Sequence, residues 1–228
     1  LYQESKNSLF DCGPGDITGV GNHIIKIRNQ DGSLSQVLYL IDSNSYENSG
    51  IGDAYYDRIH EDQVAWYENT VKSVAEYEKA NNGDLRAYDE IPSLMFFHIP
   101  FKQYRDAWEA LYAPVSGKDY LEVEYITGKA GEGNIENGDQ VVYHTNSPDK
   151  DTIFDKILEL GSTKATFCGP DHLNYYSVYY GGITLNYGCA IDYLAYAGYS
   201  DEQRGGTDIT IKSDGSFEVN KFFLKDIN

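Results

Sequence analysis

The stretch 166–174, TFCGPDHLN, decides how this chain is read. A short apolar run comes first, then a glycine turn, then an acid, a histidine and an asparagine. A brief apolar run bounded by a turn reads as a buried strand, and polar side chains just past the C-terminal end of such a strand are how many α/β proteins build a site. A second stretch, 93–100 or SLMFFHIP, has the same form and ends in His98. Two strand-like runs, each followed by an imidazole (His98 and His172), are the strongest chemical signal in the sequence.

Upstream, 23–28 (HIIKIR) and 36–40 (QVLYL) flank a segment containing Asp31-Gly32, a hairpin signal. The second of these strands is expected to run on to Asp42. Residues 42–58, rich in Ser, Asn, Gly and Tyr, read as a loop at the rim of the site. Over 61–81, Val64, Trp66, Tyr67, Val71, Val74, Ala75 and Tyr77 recur at helical spacing, and Asn81-Asn82-Gly83 ends the helix. A short helix is expected over 104–111. The segment 117–147 carries five glycines, many acids and no period, which predicts a long irregular connection.

A second amphipathic helix is expected over 151–160, with Asp151 or a neighbour as N-cap and Gly161 as C-cap. Strand 163–168 follows. Next come 175–180 and 182–187, a pair with a Gly-Gly turn, then 207–212 and 216–223 joined at Asp214-Gly215. Hairpin, helix, strand, helix, strand and then antiparallel strands predict one α/β domain, a mixed sheet layer ending in a β-meander.

Composition narrows the function classes. The chain has 228 residues, 41% hydrophobic and 24% charged, enough for an ordinary folded domain. Its 21 tyrosines suit half-buried strands. A formal net charge of −18 repels nucleic acid and anionic membranes, so neither is expected as a partner. No stretch approaches the ~20 apolar residues of a membrane helix, and no secretory leader pattern is present. Three cysteines (Cys12, Cys168, Cys189) argue against a disulfide framework, and Cys168 reads as a buried thiol.

Several stretches together resemble the calcineurin-like metallophosphoesterases, in the branch related to purple acid phosphatases. FFHIPF (96–101) and TFCGPDHLN (166–174) resemble that branch's FFHIP and GHDHxN. GVGNHI (19–24) resembles its GVGNY strand, and LYLIDS (38–43) its LYFLDS strand. Gln63-Val64-Ala65-Trp66 resembles its helix entry, and Arg204-Gly205 the opening of its last strand. The resemblance covers nearly all of this chain but only the C-terminal half of the family's domain. It implies an α/β fold that is the C-terminal half of a four-layer αββα sandwich.

The resemblance also implies a chemistry. In that family two divalent ions about 3.5 Å apart hold the phosphate oxygens, and a bridging hydroxide attacks in line. Fe, Mn or Zn suits the Asp, Asn and His ligands. Carried over by position, His98 and His172 are metal ligands, and Asp171 and Asn174 stand in the shell behind them. The substrate would be a phosphorylated small molecule or a phosphoprotein.

The departures point the other way. Pro170 stands where the family has the first His of GHDH, and proline offers no ligand. No DxH and no GNHD in its proper context is found. Gly21-Asn22-His23 spells GNH, but it opens a hairpin strand and Ile24 follows it. Three explanations stay open: part of a longer enzyme, one half of a split enzyme, or a degenerate homologue that serves as a binding domain. A homodimer, or association with a missing N-terminal half, is expected to cover apolar edges. Plainer readings stand beside these. His98 or His172 as a core or turn histidine, His60 and His144 as solvated groups, Asp42 as a turn acid and the tyrosines of 175–180 as sheet packing are the alternatives.

Overall fold

The computed structural model describes residues 5–48, 54–111, 126–127, 152–169, 175–191 and 204–227. The first hairpin forms where its turn residues predict. β1 (His23–Arg28) pairs antiparallel with β2 (Leu34–Leu40), with Ile25 opposite Leu38. Strand β2 stops two residues short of Asp42. The segment expected as loop holds a small ribbon, β3 (Tyr46–Asn48) with β4 (Ala54–Tyr56). The rings of Tyr46 and Tyr56 stack across it at 5.3 Å, a cross-strand pair that offsets its polar composition.

Helix α1 (Glu61–Asn82) buries Val64, Tyr67, Val71 and Val74, three and four residues apart, and ends at Gly83 in the left-handed region. The apolar stripe does not end at Tyr77 as the periodicity predicts. Tyr77 is 52% exposed, and Glu78 takes the buried position instead.

The remaining elements are β5 (Ser93–Phe96), α2 (Gln103–Leu111), β6 (Ile126–Thr127), α3 (Ile153–Leu160), β7 (Thr163–Cys168), β8 (Ser177–Tyr180), β9 (Ile183–Tyr187), β10 (Gly205–Ile211) and β11 (Phe217–Phe223). Thr152 is the N-cap of α3, and Gly161 closes it. Gly181 and Gly182, both at positive φ, make the tight turn between β8 and β9. Apart from β6, the segment 117–147, with His144, lies outside the described residues, as does Asp151.

The fold is mixed α/β around a mixed sheet of order β1-β2-β5-β7-β9-β8-β6. Strands β2, β5, β7 and β9 run parallel. Antiparallel β1 flanks them on one side, and β8 with β6 on the other. Val37 and Tyr39 of β2 and Met95 of β5 join the cluster under the helices, with Tyr67, Ile153 and Ile157. Leu94, Ala165 and Phe167 form a second cluster with Ile209, Ile211, Phe217 and Val219 of the last hairpin.

That hairpin is therefore not a continuation of the meander. It is a separate ribbon laid over the face opposite the helices. The physical reason is the apolar surface of Leu94, Ala165 and Phe167, which water would otherwise meet.

A bulge lets β7 serve both faces. Thr163 pairs with Ser93, but Ala165 pairs with the next residue, Leu94, so Lys164 is the extra residue. Thr163 thereby stays on the helical face, where its hydroxyl meets those of Tyr67 and Ser93, both at 2.8 Å. Among the described residues Cys168 is buried as expected, while Cys12 is exposed and Cys189 half-buried. No described helix is long and apolar enough to cross a membrane.

Glu78 keeps its buried charge because three partners answer it. Arg28 donates to both carboxylate oxygens at 2.6 and 2.9 Å, Lys26 at 3.0 Å and Asn82 at 2.6 Å. The Arg28 hydrogen bonds, opposed by burial and aided by Lys26 and Asn82, hold the Glu78 carboxyl at about 2. A depressed carboxyl stabilises the fold above its unfolded value, and that contribution is lost as pH falls through the folded one. Urea unfolding should show stability declining from about pH 4.5 towards pH 2, because the unfolded value of a Glu is ~4.3. Glu78→Gln should cost about 3 kcal/mol at pH 7 by leaving two cations uncompensated, and should flatten that decline.

Candidate functional site

Parallel pairing brings the C-terminal ends of β2, β5, β7 and β9 to one edge of the sheet. Backbone bonds continue there beyond the regular strands. Ile41 N–H donates to the carbonyl of Phe96 at 2.9 Å, Phe97 N–H to that of Phe167 at 3.1 Å, and Gly188 N–H to that of Cys168 at 2.8 Å. Gly169 N–H donates to the carbonyl of His98 at 3.4 Å, which ties the turn after β7 to the turn after β5.

His98 sits at this edge between two buried residues, Phe97 and Ile99, and is itself exposed. It is thus not a core histidine. Its backbone is held from β2. The buried Ser43 Oγ accepts hydrogen bonds from His98 N–H at 3.1 Å and Ile99 N–H at 2.7 Å. Ser43 was visible in the sequence only as the last residue of the LYLIDS stretch. A short hydroxyl just past a strand end is the signal for such a backbone bond.

Ser43 is anchored in turn by a buried polar cluster. Gln63, fully buried on α1, donates from Nε2 to the carbonyl of Asp42 at 2.5 Å and to Asn22 Oδ1 at 2.9 Å. Its Oε1 accepts from His60 N–H at 2.9 Å. Asn22 Oδ1 also accepts from Asp42 N–H at 3.1 Å, while Asn22 Nδ2 donates to the carbonyl of Thr18 at 2.9 Å. The Asp42 carboxylate accepts from Val20 N–H and Asn44 N–H, both at 2.8 Å. Gly19, at φ +82°, permits this close approach, since a Cβ there would lie 2.9 Å from the Asp42 side chain.

The GNH stretch is therefore structural. Asn22 is buried with both ends of its amide bonded, and the His23 ring lies 2.7 Å from the carbonyl of Gly21. His60 is not simply solvated: it caps α1, and its ring meets Asp57 at 2.9 Å. Of the tyrosines at 175–180, Tyr176 is fully buried against Tyr187 at 4.9 Å and Tyr180 meets Phe154 at 6.0 Å, whereas Tyr179 is 54% exposed. Pro170, Asp171, His172 and Asn174 lie outside the described residues. Among the described residues, no three His, Cys, Asp or Glu gather in a way that would hold a metal ion.

No family profile matches the chain, and no solved structure matches it significantly. Curated relatives in Arabidopsis thaliana do. One, described as probable inactive purple acid phosphatase 14, is 27% identical over 200 residues, 83% of this chain and 44% of the relative. Two others, described as probable inactive purple acid phosphatases 28 and 29, are each 26% identical, over 79% and 87% of this chain and 38% and 46% of their own lengths. The chain has weak homology to purple acid phosphatase-like proteins, which are metallophosphoesterases. It spans less than half the length of these relatives.

The hold of Ser43 on the edge is open to measurement. Ser43→Ala should cost about 1–3 kcal/mol in denaturant unfolding, because two backbone donors lose their acceptor. Hydrogen exchange at His98 and Ile99 should accelerate more than exchange in α1.

Proposed function

We propose that this chain forms the C-terminal half of a metallophosphoesterase domain of the purple acid phosphatase-related branch. Its ribbon and sheet would be two layers of a four-layer sandwich, and it would act on a phosphorylated small molecule or a phosphoprotein. In this reading His98 and His172 each supply an imidazole to a dinuclear centre, backed by Asp171 and Asn174. When bound, paired Fe, Mn or Zn ions supply Lewis-acid polarisation of the phosphate and an activated water. The described residues alone do not complete such a centre, since they offer one exposed imidazole at the edge, His98. What this chain's own residues do is present that ring to solvent and fix its backbone through Ser43 and Gly169.

The observation that carries the reading is the hydrogen bond from Gly169 N–H to the His98 carbonyl. Only two residues separate Gly169 from His172 in the sequence, so chain length alone keeps their Cα atoms within about 11 Å. The homology to purple acid phosphatase-like proteins supports the same chemistry.

A second reading, a phosphoesterase-fold binding domain without activity, is favoured by one specific residue. By the resemblance, Pro170 stands where the family has a ligand, and the relatives' own descriptions call them inactive. Calorimetric titration with Mn²⁺ and Zn²⁺ separates the two. Under the first reading, His98→Ala and His172→Ala each weaken binding about a hundredfold or more, as loss of a ligand should exceed the ~10–100-fold cost of losing a supporting residue. Pro170→His strengthens it. Affinities unchanged in all three variants would leave only the binding domain.

A further inference from the structure

Among the described residues the ribbon β10–β11 covers only part of the sheet, and beside it a groove of about 510 Å³ opens over β8 and β9. Its floor carries Ser177, Thr184 and Asn186, and its walls include Phe217, Lys221 and Phe223 of β11. Phe217, Val219, Lys221 and Phe223 alternate with exposed residues along β11, so they form its inward row. Three of the four are apolar. Lys221 breaks the row with a charge.

That charge has no carboxylate partner among the described residues. The Lys221 ammonium donates to the carbonyl of Tyr175 and to Ser177 Oγ. Burial lowers its pKa to about 8, opposed by the Cys189 and Cys168 thiols, so it is still a cation at neutral pH. Ser177 stands directly opposite Asn186 in the β8–β9 pairing. The buried Asn186 spends its amide N–H on the carbonyl of Thr166 at 3.1 Å, and its Oδ1 accepts no hydrogen bond among the described residues. A cation with a spare donor, an unanswered acceptor and aromatic walls thus line one opening, whose size is that of a small-ligand pocket, ~300–1,000 Å³. Among the described residues neutral oxygens alone accept from Lys221, and a buried cation has an anion as its natural complement.

We propose that this groove binds a small aromatic carboxylate that carries a hydrogen-bond donor. The carboxylate pairs with Lys221, the donor with Asn186 Oδ1, and the flat ring lies against Tyr175 and Phe223, whose own rings are 5.0 Å apart. This site is separate from the strand edge of His98 and does not rest on the proposed metal chemistry.

The test uses 6-hydroxy-2-naphthoate as probe, with 2-naphthoate and 2-naphthol as controls, by calorimetry at pH 7. The expected order is hydroxynaphthoate, then naphthoate, then naphthol, with naphthol at least about tenfold weaker, as loss of a charge-assisted bond implies. Lys221→Met should abolish the preference for the carboxylates, and affinity for them should fall as pH rises past 8. On the unmutated chain, hydroxynaphthoate should also protect Lys221 from acylation by an N-hydroxysuccinimide ester, read by peptide mass spectrometry, while surface lysines such as Lys72 react as before. Equal affinity for all three probes, unchanged binding in the variant, or no protection of Lys221 would overturn the proposal.

Discussion

Parallel strands β2, β5, β7 and β9 must leave the sheet on the same side, and this constraint governs everything at the candidate site. A strand end exposes backbone donors and acceptors that need partners. Here each departing segment finds one in its neighbour. Phe97 bonds to Phe167, Gly169 to His98 and Gly188 to Cys168. The turns after β5 and β7 are therefore joined before any side-chain chemistry is considered. His98 is placed by its backbone, with a single hydroxyl from Ser43 receiving two N–H groups that the ladder no longer serves.

Behind that edge the protein spends buried polar groups rather than apolar packing. Gln63, Asn22 and the Asp42 backbone form one cluster, and Tyr67, Ser93 and Thr163 form another. Within these bonds each group is answered, which makes such clusters rigid, and leaving one unanswered would be costly. They connect α1 to β2 and to β5 and β7, so the helix and the strand edge hold one register. The β7 bulge belongs to the same device, since without it Thr163 and Ala165 would share a face.

The two faces of the sheet differ in what covers them. Helices seal one with a continuous apolar cluster. Among the described residues the ribbon seals only part of the other, over Leu94, Ala165 and Phe167. Where the ribbon ends, the sheet turns polar, with Ser177, Thr184 and Asn186, and Lys221 reaches across. The change from apolar to polar along one sheet face creates the groove, because apolar residues draw a cover and polar ones do not.

The sequence by itself determined the elements whose signals are local. Asp31-Gly32, Gly83, Gly161, Gly181-Gly182 and Asp214-Gly215 mark turns and caps that require particular backbone angles, and the spacing of Val64, Tyr67, Val71 and Val74 marks α1. The two runs that precede His98 and His172, 93–97 and 163–168, were legible as apolar segments bounded by breakers. Tertiary structure decided what lies far apart in the chain. Nothing near Glu78 announces that Arg28 and Lys26 will meet it, so its burial in place of Tyr77 could not be read from periodicity. Asn22 in a GNH stretch became structural only when Gln63, 41 residues away, closed on it. The last hairpin looked like more of the same sheet until the face it had to cover was in place. Backbone angles and period are properties of neighbours in sequence, whereas burial and charge pairing belong to neighbours in space.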